Sequence, residues 1–207
     1  MQRRDKNRLD LAFLFACPLV MSYTDQQHQI RLKDVAPLNH QAEFSKIAAR
    51  LDKAGLKLSV QKRHCTVDAL QSVLQEKPLG IHFSGHGLRN TFEEVGEYHY
   101  LHKEDGDFLL LETIEGDSQL VSRKQLQQLI EASNAELLFV IVATCHSEFV
   151  GRIFAQVGAK FVICIDQEME VADDAVINFT DTFYEMVLRE QTSVQEAFTK
   201  AQLVVSI

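Results

Sequence analysis

Two short stretches constrain this chain more than any others: Ile81-His82-Phe83-Ser84-Gly85-His86-Gly87 and Val140-Ile141-Val142-Ala143-Thr144-Cys145-His146-Ser147. Each is an apolar run of strand character that stops abruptly in small, polar and reactive residues. Parallel strands are buried on both faces and read as continuous apolar runs, and open α/β sheets place their sites at the carboxyl ends of those strands. The pattern predicts His86 and Cys145 at one edge of one sheet, delivered by different strands.

The remaining sequence supplies the other elements of such a sheet. Leu11–Val20 reads as the first strand, closed by Pro18 and Tyr23-Thr24-Asp25. Ile47, Ala48, Leu51 and Ala54 recur on one helical face, and Gly55 stops that helix. Leu56–Cys65 alternates as a second strand, Thr66 caps a helix running to about Glu76, and Leu79–Phe83 is a third strand. Leu88 to Gly106 is polar and irregular, long enough to be a functional loop. Phe108–Ile114 and Gln119–Val121 predict a hairpin, after which Ser122 and Gln125 form a capping box for a helix. Leu137–Ala143 and Phe161–Ile165 are the fourth and fifth strands, separated by a helix over Phe149–Val157. An amphipathic helix over Asp174–Arg189 and a last one opened by Ser193 and Glu196 complete the series. Strands alternating with helices imply a three-layer α-β-α fold, with a mostly parallel sheet covered on both sides and an inserted β-hairpin.

With 207 residues and 46% apolar composition, the whole span 1–207 reads as a single domain with a full core. A net charge of −8 argues against a nucleic-acid partner, whose phosphates demand clustered Lys and Arg. The basic start (Arg3, Arg4, Lys6, Arg8) before Leu11–Leu14 mimics a signal peptide, but Asp10 interrupts it and no small-residue cleavage site follows cleanly. No apolar run approaches the ~20 residues that span a bilayer, so no membrane partner is expected. Cys17, Cys65, Cys145 and Cys164 show no CxxC pairing, which suits a reducing, cytoplasmic setting that keeps a thiol available. Cys17 and Cys164 read as core; Cys65 ends a strand, where exposure is an option and redox sensing a remote one. The apolar end Val204-Val205-Ser206-Ile207 leaves two readings open, a further strand or a segment cut from a larger protein.

A cysteine is a nucleophile only as thiolate, and at an unperturbed pKa of ~8.5 only about 3% is ionised at neutral pH. A neighbouring imidazole can take that proton and later return it to a leaving amine. The glycines around His86 remove side chains where a carbonyl must approach, and the backbone N–H groups of Gly87 and Cys145 are placed to hold an oxyanion. This chemistry needs neither metal nor cofactor. His82 lies ~13 Å along a strand from His86, too far to share a metal, and reads as a packed or hydrogen-bonded core residue. His99 and His102, with Cys145-His146, have no recognisable zinc spacing. The acidic run Glu93, Glu94, Glu97, Glu104, Asp105 and Asp107 reads as a solvated loop, or as a lure for basic substrate segments.

Taken in order, the motifs resemble the CHAT domain, a caspase-like group related to caspases and separase. They run from Cys17-Pro18-Leu19, through Glu43 and His82…Ser84-Gly85-His86-Gly87, to the hairpin Phe108–Leu120. They continue with Ala143-Thr144-Cys145-His146-Ser147, Gly158-Ala159, Asp173, Phe183-Tyr184, Ser193-Val194-Gln195-Glu196-Ala197 and Ala201. The resemblance implies a caspase–hemoglobinase type of fold and a cysteine endopeptidase acting on protein substrates. In that scheme His86 is the general base, Cys145 the nucleophile, and the Gly87 and Cys145 amides the oxyanion hole. It also implies a regulatory repeat module or activating partner beside the domain. His146 departs from the glycine-containing neighbour found in related caspases. Asp166, Asp173 and Asp174 follow the fifth strand and are candidates for a substrate pocket, or equally for helix N-terminal charges. Two other functions compete: a catalytically inactive caspase-like interaction or scaffold domain, and a small-molecule hydrolase, which lacks the nucleophile-elbow glycines.

Overall fold

The computed structural model describes residues 9–24, 29–90, 106–166, 171–188 and 192–205. In chain order the elements are β1 (Leu11–Phe15), β2 (Val20–Thr24), β3 (Ile30–Asp34), α1 (His40–Lys53), β4 (Val60–His64), α2 (Val67–Gln75), β5 (Gly80–Ser84) and β6 (His86–Asn90). They continue with β7 (Gly106–Glu112), β8 (Ser118–Ser122), α3 (Arg123–Ser133), β9 (Phe139–Ala143), α4 (Glu148–Gln156), β10 (Phe161–Cys164), α5 (Asp173–Val187) and α6 (Val194–Val205). Five strands pair in the order β10-β9-β5-β1-β4, and every pairing is parallel.

Strand periodicity divides the core in two. Ala12, Leu14 and Ala16 face the layer of α2, α3 and α4, where they meet Val73, Leu126 and Phe149. Leu11, Phe13 and Phe15 face the opposite layer, against Ile47 of α1, Phe183 of α5 and Ala197 of α6. A sheet buried on both sides explains why β1 and β9 are apolar without alternation. This is a three-layer caspase-like α/β architecture. Its chain reverses direction between β1 and β5, the position at which open α/β sheets hold their ligands.

Two smaller sheets decorate the carboxyl edge. β6, β7 and β8 form an antiparallel three-stranded sheet that includes the expected hairpin. The first strand is shorter than the sequence pattern suggests, because Pro18 splits 11–20: β1 ends at Phe15 and Val20 opens a second hairpin, β2–β3. Ile30–Asp34 alternates apolar and polar residues as a strand does, yet all five are exposed, so β3 adds nothing to the core. The segment after Leu88 begins not as irregular loop but as β6, paired with β7 through Asn90. His99, His102 and the acidic residues from Glu93 to Asp105 lie outside the described residues, as do Arg3, Arg4, Lys6 and Arg8. No helix among the described residues is long and apolar enough to cross a membrane.

Candidate active site at the carboxyl ends of β5 and β9

Each reactive residue sits where its strand stops. β5 and β9 are neighbours, with Ser84 opposite Ala143. Beyond that pair the Gly85 N–H reaches the Ala143 carbonyl at 3.5 Å; His86 then opens β6, and Cys145 lies in the turn after β9. Gly87 shows how tightly the two segments abut: a Cβ built on it would overlap the Cys145 carbonyl oxygen and lie 2.9 Å from Thr144 Oγ1. Gly85 is crowded chiefly by a side chain, with its Cβ position 2.8 Å from Phe83 Cζ and 3.2 Å from the Ala16 carbonyl oxygen. Of the two, Gly87 is the glycine that backbone approach demands.

The turn after β9 has its own clamp. Ser147 is fully buried; its hydroxyl donates to the Val142 carbonyl at 3.1 Å and accepts from the Ile165 N–H at 2.9 Å. That ties the turn back to the end of β10. His146 takes a left-handed φ of 52°, a conformation glycine adopts most cheaply. The departure from the glycine-containing neighbour of related caspases therefore falls on a residue holding a glycine-like backbone. Cys145 is half-buried, and its Sγ accepts from the Val171 N–H at 3.4 Å and faces the Val171 carbonyl at 3.8 Å.

His86 is oriented by a backbone group. Its Nε2 meets the Ala36 carbonyl at 2.8 Å and must donate to it, which leaves Nδ1 as the basic nitrogen. Burial pushes the His86 pKa below the usual imidazole range, opposed by the Ala36 hydrogen bond and the nearby Asp173 charge. A lowered pKa keeps the ring neutral, and so able to accept a proton, at physiological pH.

The three aspartates have separate fates. Asp173, in the first turn of α5, accepts from the Asn39 backbone N–H at 2.8 Å and lies within electrostatic reach of His86. Asp174 is exposed in the same first turn, an arrangement the helix dipole favours. Asp166 helps line a pocket of about 380 Å³, together with Cys164, Val171, Ala175, Val176 and Phe179. Val171 joins that pocket to the Cys145 sulfur. A separate apolar cavity of about 220 Å³, lined by Leu11, Leu138, Val140 and Val187, opens toward the amino ends of the strands.

The other cysteines differ from one another. Cys65 is completely buried, and burial drives its thiol far above the usual range, with the Glu112 charge adding to the effect. The option of an exposed, redox-sensing Cys65 is thereby closed: the chain passes inward at the end of β4. Cys164 is raised by partial burial and by nearby carboxylates. Among the described residues, no cluster of His, Cys, Asp and Glu has metal-binding geometry.

Sequence reasoning missed Ala36 and Val171, because both act through backbone atoms. Pro37 offers the one local hint, since a residue before proline is driven to an extended conformation. It also placed His82 in the core without finding its partners. His82 is 0% exposed; its Nε2 lies 3.0 Å from Glu43 Oε1 and its Nδ1 3.3 Å from the Tyr184 hydroxyl.

The parallel sheet and its two cores define a caspase-like α/β domain. Residues 2–206, nearly the whole chain, match the CHAT domain, and the protein belongs to that family. No curated protein matches it.

Proposed function

We propose that this chain is a cysteine endopeptidase that hydrolyses peptide bonds in protein substrates through Cys145 and His86. The observation that carries the reading is the abutment of His86-Gly87 on Thr144-Cys145, with the imidazole already fixed by the Ala36 carbonyl. In the first step His86 Nδ1 takes the Cys145 proton as the sulfur attacks the scissile carbonyl. The tetrahedral oxyanion is held by the Gly87 and Cys145 backbone N–H groups, each donor of this kind being worth ~10²–10³ in rate. Collapse of that intermediate expels the amine, which takes the proton back from His86 and leaves a thioester. Water, deprotonated by the same imidazole, then attacks the thioester, and the carboxylate product and the free thiol separate.

The pocket beside Val171 supports a substrate side chain with a long apolar stem, and Asp166 at that pocket supports a polar or cationic tip. Asp173 acts on the base through its charge, and Asp174 belongs to the outer rim. The domain works in a larger assembly whose partner module controls access to the site. The reaction draws on these side chains and backbone groups, in a cytoplasmic setting.

Competing with this is an inactive interaction domain, favoured by one observation: Sγ is engaged by both backbone groups of Val171. Labelling the intact chain with an electrophilic peptide library separates the two. A peptidase modifies Cys145 with clear sequence preference and loses that modification in His86→Ala. Modification of Cys145 no faster than of a simple thiol, and indifferent to His86, assigns the fold to binding instead.

A further inference from the structure

The core of this protein contains a charge that stability alone does not explain. Glu43 on α1 is 1% exposed and His82 on β5 is 0% exposed, with 3.0 Å between Oε1 and Nε2. Burial raises the Glu43 carboxyl, but the His82 charge and hydrogen bonds from His82 and Ser84 act against it, and the group is held below the usual range. His82 stacks on Phe13 at 4.8 Å between ring centroids, and its other nitrogen meets the Tyr184 hydroxyl of α5. Replacing such a pair by well-packed apolar side chains is commonly neutral or stabilising. A carboxylate kept here at such desolvation cost has a purpose other than cohesion.

The same elements meet a second time at the rim of the sheet. Ala36, in the segment leading into α1, accepts from His86, just past the end of β5. The Asn39 N–H at the head of α1 donates to Asp173 at the head of α5. Asn39 and Glu43 are one helical turn apart, ~6 Å along the axis. Any slide or rotation of α1 on the sheet therefore moves the Ala36 carbonyl off the imidazole. Apolar packing is non-directional and tolerates such a slide. Charge-assisted hydrogen bonds do not. Ser84 gives the shortest route from the network to the base: its hydroxyl bonds to Glu43, and Gly85 alone separates it from His86.

From this we infer that Glu43 is a positioning residue: by binding His82 and Ser84 of β5, with His82 in turn meeting Tyr184 of α5, it sets the register of α1 that fixes the His86 ring. The inference rests on the reading of His86 as the base, and deepens it. The grip is charge-assisted, so Glu43→Gln, which keeps the shape and an accepting oxygen but not the charge, loosens the site only in part.

The test compares the intact chain with the triple variant Glu43→Leu/His82→Phe/Tyr184→Phe, which makes the network apolar, and with Ser84→Ala. Imidazole NMR reads the His86 tautomer, and iodoacetamide reads the Cys145 alkylation rate across pH. The expected triple variant melts as high as wild type, shows mixed His86 tautomers and alkylates Cys145 at least fivefold more slowly. Ser84→Ala and Glu43→Gln each give a smaller change in the same direction. A folded triple variant with the wild-type tautomer and rate overturns the inference. If the triple variant does not fold, an unchanged tautomer in Ser84→Ala overturns it instead. The dyad reading fails separately, when His86→Ala alkylates Cys145 at the wild-type rate; the tautomer still decides the role of Glu43.

Discussion

The Nε2 of His86 lies 2.8 Å from the carbonyl oxygen of Ala36, fifty positions earlier in the chain. This contact converts a histidine at a strand end into an oriented one. A carbonyl has no donor, so the nitrogen facing it carries the proton and the other nitrogen is free to accept. The bond is made by main chain, so the ring orientation depends on where the segment before α1 lies.

Loss of the sulfur should remove chemistry and leave the fold. Cys145 is half-buried and its contacts are weak sulfur hydrogen bonds to Val171. Cys145→Ala is expected to abolish peptide cleavage while melting within about 2 °C of wild type, since surface-near truncations change stability by about 0.5 kcal/mol or less. Parallel cleavage assays and thermal melts check this; full activity in the variant rules out Cys145 as nucleophile.

The pH dependence should be set by His86. Burial lowers its pKa from the usual 6.5, so the acid limb of the rate profile is expected below pH 6.5. The Asp173 charge raises that pKa, and so Asp173→Asn should move the limb to still lower pH. Asparagine retains an oxygen to accept from Asn39, which isolates charge from structure. Alkylation of Cys145 measured from pH 4 to 9 reads the shift; a limb that moves upward refutes the electrostatic role of Asp173.

Gly87→Ala should be damaging out of proportion to one methyl group. The added Cβ meets backbone, the Cys145 carbonyl, which cannot swing away as a side chain would. Overpacking of this kind costs about 1–3 kcal/mol. Chemical denaturation should show that loss, accompanied by loss of electrophile labelling. A variant as stable and as reactive as wild type contradicts the close approach of the two strand ends.

Glu43 should also shape stability in acid. Its carboxyl is held below the ordinary value of 4.5. The folded state therefore binds that proton less readily than the unfolded chain. Its stabilisation is complete above the unfolded value and disappears as pH falls through the lower, folded one. Unfolding free energies of wild type should accordingly decline more steeply below pH 4.5 than those of Glu43→Gln. Equal slopes would show that the buried carboxylate is not linked to folding.

Cys65 provides an internal standard. It is 0% exposed and its thiol is pushed far up by burial, so native-state thiol reagents should reach it only through opening of the fold. Mass mapping after brief labelling should find Cys145 modified and Cys65 untouched. Early modification of Cys65 would mean that the end of β4 opens readily.

Local pattern carried much of the architecture. Continuous apolar runs at 80–84 and 139–143 announced parallel strands, and helical spacing in 173–187 announced a helix packed on one side. Capping boxes read from Ser122 and Gln125, and from Ser193 and Glu196, appear as hydrogen bonds. The β2–β3 hairpin was not read: Ile30-Arg31-Leu32-Lys33-Asp34 alternates apolar and polar residues, but all five are exposed, so the alternation marks no core face.

Burial periodicity is written into neighbouring residues, so this chain's α/β class and the strand ends beside His86 and Cys145 could be read without coordinates. Partner choice is different in kind. Ala36 against His86, Asp173 against Asn39, Glu43 against His82, and His82 against Tyr184 link residues 39 to 134 positions apart, and none leaves a local mark. Those pairings arise from strand order and from the register of α1 and α5 on the sheet, because hydrogen bonds need direction and distance where apolar burial needs only contact.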